Sequence, residues 1–189
     1  MTKIEIVQAE NYQGEDLERL KQAIQLLENT INSDEFKKAV IDFKTHIDGG
    51  TFHFIRKEKK GLRIRTFKLK RYTNTEVLEK ILKGNSQFKN KIELKLKMEF
   101  GDDGDVVGYK KSGSSTIHTY EKFVKNMTLT RFAAHIIHEY CHIIGFEHSS
   151  SSKHDKLRDC YSVPYAIHKM LKKILLGSNA SSCQYLHMK

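Results

Sequence analysis

The chain has one proline, no tryptophan and three cysteines in 189 residues. With a lone proline, no Pro/Ser-rich linker and no internal repeat, one folded unit over residues 1–189 is expected. Cys141, Cys160 and Cys183 are an odd number without a C-x-x-C spacing, which excludes a disulfide framework. One disulfide with a free thiol and three reduced thiols both stay open. No apolar run approaches the roughly 20 residues of a membrane-spanning helix. Met1-Thr2-Lys3-Ile4-Glu5 opens without a charged-then-apolar signal region, which suits a cytoplasmic protein or the mature form of a secreted one.

Acidic residues are the scarcer charge. Lys+Arg number 33 against 23 Asp+Glu, a balance of +10 that invites a nucleic-acid or anionic-surface partner. Histidine is what the chain has in plenty. Five of its ten, His135, His138, His142, His148 and His154, fall within twenty residues. Hydrophobic residues at 39% are enough for a packed core, so ordinary chemistry inside a folded domain is the question.

Periodicity gives the order of elements. Ile4, Ile6 and Ala9 predict a short opening strand, and Leu17, Leu20, Ala23, Ile24 and Leu27 predict a long helix. A second helix is expected from Ser33, carrying Phe36, Val40 and Ile41, before a turn at Asp48-Gly49-Gly50. Phe52 and Phe54, then Leu62 and Ile64, alternate as two strands about a turn at Lys57–Gly61. Thr75–Leu82 reads as a helix with Asn74 as N-cap and Gly84 as its stop. Ile92, Leu94, Leu96 and Met98 alternate with charged residues as a half-buried strand. The loop Gly101–Asp105, a short strand Val106–Lys110, a turn at Gly113–Ser115 and a strand Ile117–Val124 follow. Thr128 to about Ile144 and Ser162–Leu176 are the last two helices, the second closed by Gly177. The order is that of an α+β protein.

The segment His138-Glu139-Tyr140-Cys141-His142-Ile143-Ile144-Gly145-Phe146-Glu147-His148 contains H-E-x-x-H-x-x-G-x-x-H. His138 and His142 are four apart, so on a helix their imidazoles share one face and can share a zinc ion. Glu139 lies about 100° round the helix from His138, beside the metal, where it can take a proton from a metal-bound water. Continuing the helix would carry His148 away from that face, so Gly145 is needed to end it and let the chain turn back. Three protein nitrogens and one open position describe a catalytic zinc site rather than a structural one. Five fixed positions at about one in twenty each would match a chain of this length roughly once in ten thousand. The competing reading is a buried helix with incidental histidines, since Phe132, Ile136, Ile137, Tyr140, Cys141, Ile143 and Ile144 make it apolar nearly all round. Burial favours the metal, because two imidazoles and a carboxylate in such a helix need partners to offset desolvation.

Neighbouring groups weigh less. His135 shares the face of His138 and His142 and reads as a satisfied core residue ahead of a supporting group or spare ligand. His154 and Glu147 are possible substitutes for His148, and Cys183 has nothing around it that argues for an approach to the metal.

These eleven residues resemble the extended zinc-binding motif of the metzincin clan of metallopeptidases. The resemblance implies zinc ligands His138, His142 and His148, general base Glu139 and a protein or peptide substrate. It also implies a metzincin-like α+β fold: a twisted mixed sheet with a long active-site helix in residues 1–145, and a small, mainly helical part in 146–189. Ser149 is similar to the matrix-metalloproteinase pattern. Clan members carry a methionine turn beneath the metal, and this chain departs from it, since Met170 falls in the last helix. Tyr161-Ser162-Val163-Pro164-Tyr165 occupies that place, with Val163 where the methionine stands. Tyr165 then matches the tyrosine of astacin-like and serralysin-like enzymes, whose hydroxyl reaches the zinc or the oxyanion. The clan binds its substrate extended along an edge strand above the zinc, a role that order alone gives to Val106–Lys110.

A rival class of function comes from the basic stretch. Arg56, Lys57, Lys59, Lys60, Arg63, Arg65, Lys68, Lys70 and Arg71 put nine positive charges in sixteen residues. Phosphates with Phe54, Phe67 and Tyr72 as stacking partners would suit them, but no RNA- or DNA-binding motif is present. Alternation with Leu62, Ile64, Phe67 and Leu69 reads better as the solvated face of a half-buried strand. The alternative to a zinc endopeptidase is therefore a basic binding protein whose zinc site is structural or inactive.

Overall fold

A computed structural model describes residues 1–44, 52–60, 64–101, 104, 106–111, 113–148 and 162–177, and the side chains of these except at 53–60 and 64–70. The expected turn at Asp48–Gly50, Leu62, part of the Gly101–Asp105 loop, Ser149, His154, Cys160, Tyr161 and Cys183 lie outside the described residues.

The opening strand forms as β1 (Lys3–Glu10), and the long helix as α1 (Gly14–Asn32). Ser33 stops α1 by turning extended, and its hydroxyl accepts the Phe36 N–H to cap α2 (Asp34–Ile41). The basic stretch folds as an antiparallel pair, β2 (Phe52–Lys60) and β3 (Ile64–Tyr72). No turn occurs at Lys57: Lys57–Lys60 continue β2, pairing from Lys57 with Phe67 to Lys60 with Ile64. Antiparallel pairing with β3 at all four residues outweighs the turn signal of a lysine run.

Helix α3 (Asn74–Lys83) ends at Gly84 as expected, but its N-cap is Thr73, whose hydroxyl accepts the Glu76 N–H. Asn74 instead donates to the carbonyls of Ile41 and Phe43, tying α3 to the end of α2. Then come β4 (Lys91–Glu99), β5 (Gly108–Lys110) and β6 (Thr116–Tyr120). The strand expected over Ile117–Val124 is cut short at Tyr120, and α4 (Glu121–Asn126) replaces its second half. Phe123, Val124 and Met127 fall at helical rather than alternating spacing, and the Met127 N–H closes back on the Phe123 carbonyl. Helices α5 (Leu129–Ile143) and α6 (Val163–Leu176) complete an α+β fold with six helices among the described residues. None of them is long and apolar enough to cross a membrane.

Strands β1, β4 and β6 run parallel in the order β1-β4-β6, and β5 is added antiparallel on the far side of β6. In β4, Ile92, Leu94, Leu96 and Met98 are buried while the residues between them reach solvent, so one face meets the core. That core joins Leu20, Leu27 and Ile31 of α1, Phe132, Ile136 and Ile137 of α5, and Ile167 and Leu171 of α6. Each such side chain contributes about 1.5–3 kcal/mol by leaving water.

The two edges of the sheet differ. At β1, the buried Glu28 carboxylate accepts the Ile4 N–H at 2.6 Å and pairs with Lys3, which occupies that edge. At β5, no described strand pairs with the outer side. β5 lies tight against its neighbours, because a Cβ on Gly108 would sit 2.1 Å from the His118 carbonyl oxygen and 2.8 Å from His135 Nε2. Gly108→Ala is therefore expected to destabilise the protein by about 1–3 kcal/mol, the usual penalty of overpacking. The check is the urea midpoint, and an unchanged value would show that β5 is not held this closely.

Candidate metal centre

Helix α5 starts cleanly, with the Thr128 hydroxyl accepting the Arg131 N–H at 3.2 Å. Phe132, Ala133, Ala134, Ile136, Ile137, Tyr140 and Cys141 are buried, so the helix is enclosed on nearly every side. Cys141 is a buried free thiol whose pKa burial pushes up, which leaves it a packing residue. His138 and His142 sit one turn apart with ring centroids 5.3 Å apart.

Gly145 ends the helix at φ +87°, a conformation that side-chain-bearing residues rarely adopt. The Gly145 and Phe146 N–H groups close on the carbonyls of His142 and Cys141, the bonds of a left-handed helix stop. Phe146 then plunges into the core, edge-on to Tyr72 at 4.9 Å and with the Lys80 ammonium over its ring. Fixing Phe146 fixes where the chain goes next. His148 returns to the helix face, its Nε2 3.1 Å from His138 Nε2 and 3.0 Å from His142 Nε2.

Ligand atoms of all three imidazoles lie within 4.8 Å of one another. Four-coordinate zinc with Zn–N bonds of about 2.0–2.1 Å spaces its nitrogens about 3.3 Å apart, close to what these rings present. The tautomers agree with a metal site. His142 Nδ1–H donates to the Phe146 carbonyl at 2.8 Å, so its Nε2 carries a bare lone pair. His148 Nδ1 lies 3.3 Å from the Ser162 hydroxyl, which gives that ring its own outer partner. The three imidazoles lie close enough together to hold a metal ion. Burial, then mutual repulsion, holds His138 and His148 well below the ordinary imidazole pKa, keeping both neutral and ready to ligate.

Glu139 stands beside the triad and is 7% exposed. Burial lifts its carboxyl to about 7, a rise that the nearby Lys110 ammonium opposes. His135 is buried behind it, with Nδ1 3.9 Å from the Glu139 carboxylate and Nε2 3.0 Å from the Thr119 hydroxyl. His135 is thus a core residue with a polar partner, outside the ligand group. Glu147 is exposed and also outside that group.

Tyr165 lies in the first turn of α6, where its ring stacks on His148 at 4.4 Å and meets His138 edge-on at 4.8 Å. Val163 is buried at the start of the same helix, and Pro164 fits its first turn. Ser162 caps α6 by position but makes no side-chain cap bond, its hydroxyl being turned to His148 instead.

Two residues of this neighbourhood went unnoticed in the sequence. His168, three after Tyr165 on the same face of α6, sets its ring edge-on to His138 at 5.8 Å. Its helical spacing from Tyr165 was the available signal. Lys110 had none, because nothing in its local sequence shows that β5 comes alongside α5.

No family profile, curated protein or solved structure matches the chain. The site must speak for itself. Zinc added to chelator-stripped protein is expected to stabilise it by about 2.7 kcal/mol at a free concentration 100 times Kd. His148→Ala should lose most of that gain, read as the shift in Tm. A wild-type protein indifferent to zinc would show that the three nitrogens do not hold it.

Proposed function

We propose that the chain is a zinc-dependent endopeptidase, a metzincin-like enzyme in which the clan's turn methionine is absent. The observation that carries this is the convergence of His138, His142 and His148, and its support is Glu139, the buried residue that follows His138 on the same helix. Three neutral imidazoles suit zinc and leave a coordination position for a reactant. When bound, zinc would polarise a scissile carbonyl and acidify an attacking water.

The chain's own groups then have separate work. Glu139 accepts the proton of the water as its oxygen attacks the carbonyl carbon, and passes it to the departing amide nitrogen. A carboxyl lifted to about 7 by burial suits both halves of that transfer near neutral pH. The nearness of the Tyr165 ring to His138 and His148 supports its hydroxyl as a hydrogen-bond donor to the developing oxyanion. The open side of β5, packed against α5, supports strand addition by an extended peptide, whose backbone would pair with its outer N–H and C=O groups.

A site that merely holds an ion is indifferent to Glu139, and this separates the peptidase from a binding protein with a structural metal. Glu139→Gln is expected to lower hydrolysis of an unfolded protein substrate by about 10²–10⁴-fold while zinc stays stoichiometric. Undiminished cleavage by that variant sinks the proposal. Tyr165→Phe is expected to lower kcat by about 10²–10³-fold at unchanged zinc content. Equal rates would return Tyr165 to a packing role.

A further inference from the structure

Strand β5 and helix α5 lie side by side, and their contact has a register. The side of Gly108 that faces α5 meets His135, since a Cβ there would come within 2.8 Å of His135 Nε2. Two residues on, Lys110 occupies the same side of the strand, about 6.6 Å further along it. Four residues on from His135, Glu139 occupies the same side of the helix, about 6 Å further along its axis. The two steps are of about equal length, and with Lys110 acting on Glu139 the strand runs along the helix in the sense that brings the two abreast.

Charges agree with this placement. The Lys110 ammonium acts on Glu139 and on His142, both beyond His135 along the helix. Lys110 is half-buried. Among the described residues no carboxylate forms an ion pair with it, whereas Lys91, Lys97 and Lys125 on the same molecule each have one within 3.0 Å. Other cations stand near: Arg131, Lys169 and Lys172 all act on His168, beside His138. Against them Glu147 is the exposed carboxylate near His142.

We propose that Lys110 selects the substrate, by holding a carboxylate of the bound peptide close to the scissile bond. This rests on the peptidase reading and adds a substrate class to it. A peptide laid along β5 must pass the Lys110 ammonium, which is partly withdrawn from water and therefore less screened than a surface lysine. An acidic side chain there gains a charge-assisted partner, and a basic one meets repulsion from the same group. The chain-terminal carboxylate of a short peptide offers the same chemistry.

The test uses full-length, zinc-loaded protein. Cleavage of a denatured protein is mapped by mass spectrometry, and matched peptides around the preferred bond are then made. In one set each Asp or Glu is replaced by its amide, and in the other the C-terminus is amidated. Wild type is expected to favour the carboxylate form by about tenfold in kcat/KM, mainly through KM, and to lose part of that preference in high salt. Loss on side-chain replacement assigns the preference to acidic residues, and loss on amidation assigns it to the chain terminus. Lys110→Glu and Lys110→Gln should abolish the preference and Lys110→Arg retain it, at equal zinc content. The salt effect in wild type needs no variant to fold. A wild type that cleaves without preference, or a Lys110→Glu variant that keeps the preference, overturns the proposal and leaves the peptidase standing. A zinc-loaded wild type that cleaves nothing overturns both.

Discussion

The enclosure of α5 is the constraint on which the rest of the molecule depends. A helix buried on nearly every side stabilises the core through its isoleucines and Phe132, yet it also takes His135 and Glu139 out of water and half-buries His138 and His142. Desolvation of that kind is costly unless each polar atom finds a partner. The chain answers locally. Phe146 offers its carbonyl to His142, Ser162 stands by His148, Thr119 and His135 meet behind Glu139, and the remaining nitrogens face one another. A metal ion is a partner that these three imidazoles lie close enough to share.

The same enclosure explains the asymmetry of the sheet. Helices cover one face, Glu28 occupies the β1 edge, and β5 is left as the side on which nothing described is paired. The tight fit at Gly108 brings that edge onto the helix that carries His138 and His142. An edge with no described strand on its outer side therefore stands beside a half-buried site.

Much of this was legible in the sequence because the relevant physics is local. The alternation of Ile92–Met98, the stop at Gly145 and the four-residue spacing of His138 and His142 each depend on neighbours a few positions away. The errors arose where longer-range partners decide. A lysine run became strand because β3 pairs with it residue by residue, and Asn74 left its cap for the carbonyls of Ile41 and Phe43. Val124 followed the helical spacing of Phe123 and Met127 rather than continuing β6. Within the site, His168 and Lys110 come from elements whose approach to α5 is a tertiary fact. Only folding brings them there.

The parallel sheet has a kinetic consequence. Lys3 pairs with Lys91, a separation of 91 − 3 = 88 residues, while the three imidazoles span only 148 − 138 = 10. Closing the longer loop carries the greater entropy loss and sets the pace of assembly. The ligand group can therefore form on a chain whose sheet is still incomplete, and an ion captured early would act as a folding nucleus. Strand β5 pairs with β6 across only 119 − 108 = 11 residues, so that edge also forms locally, and the β1–β4 pairing is what assembles last. On the peptidase reading, a chain still without its first strand in place would already carry both the ligand group and the strand edge beside it.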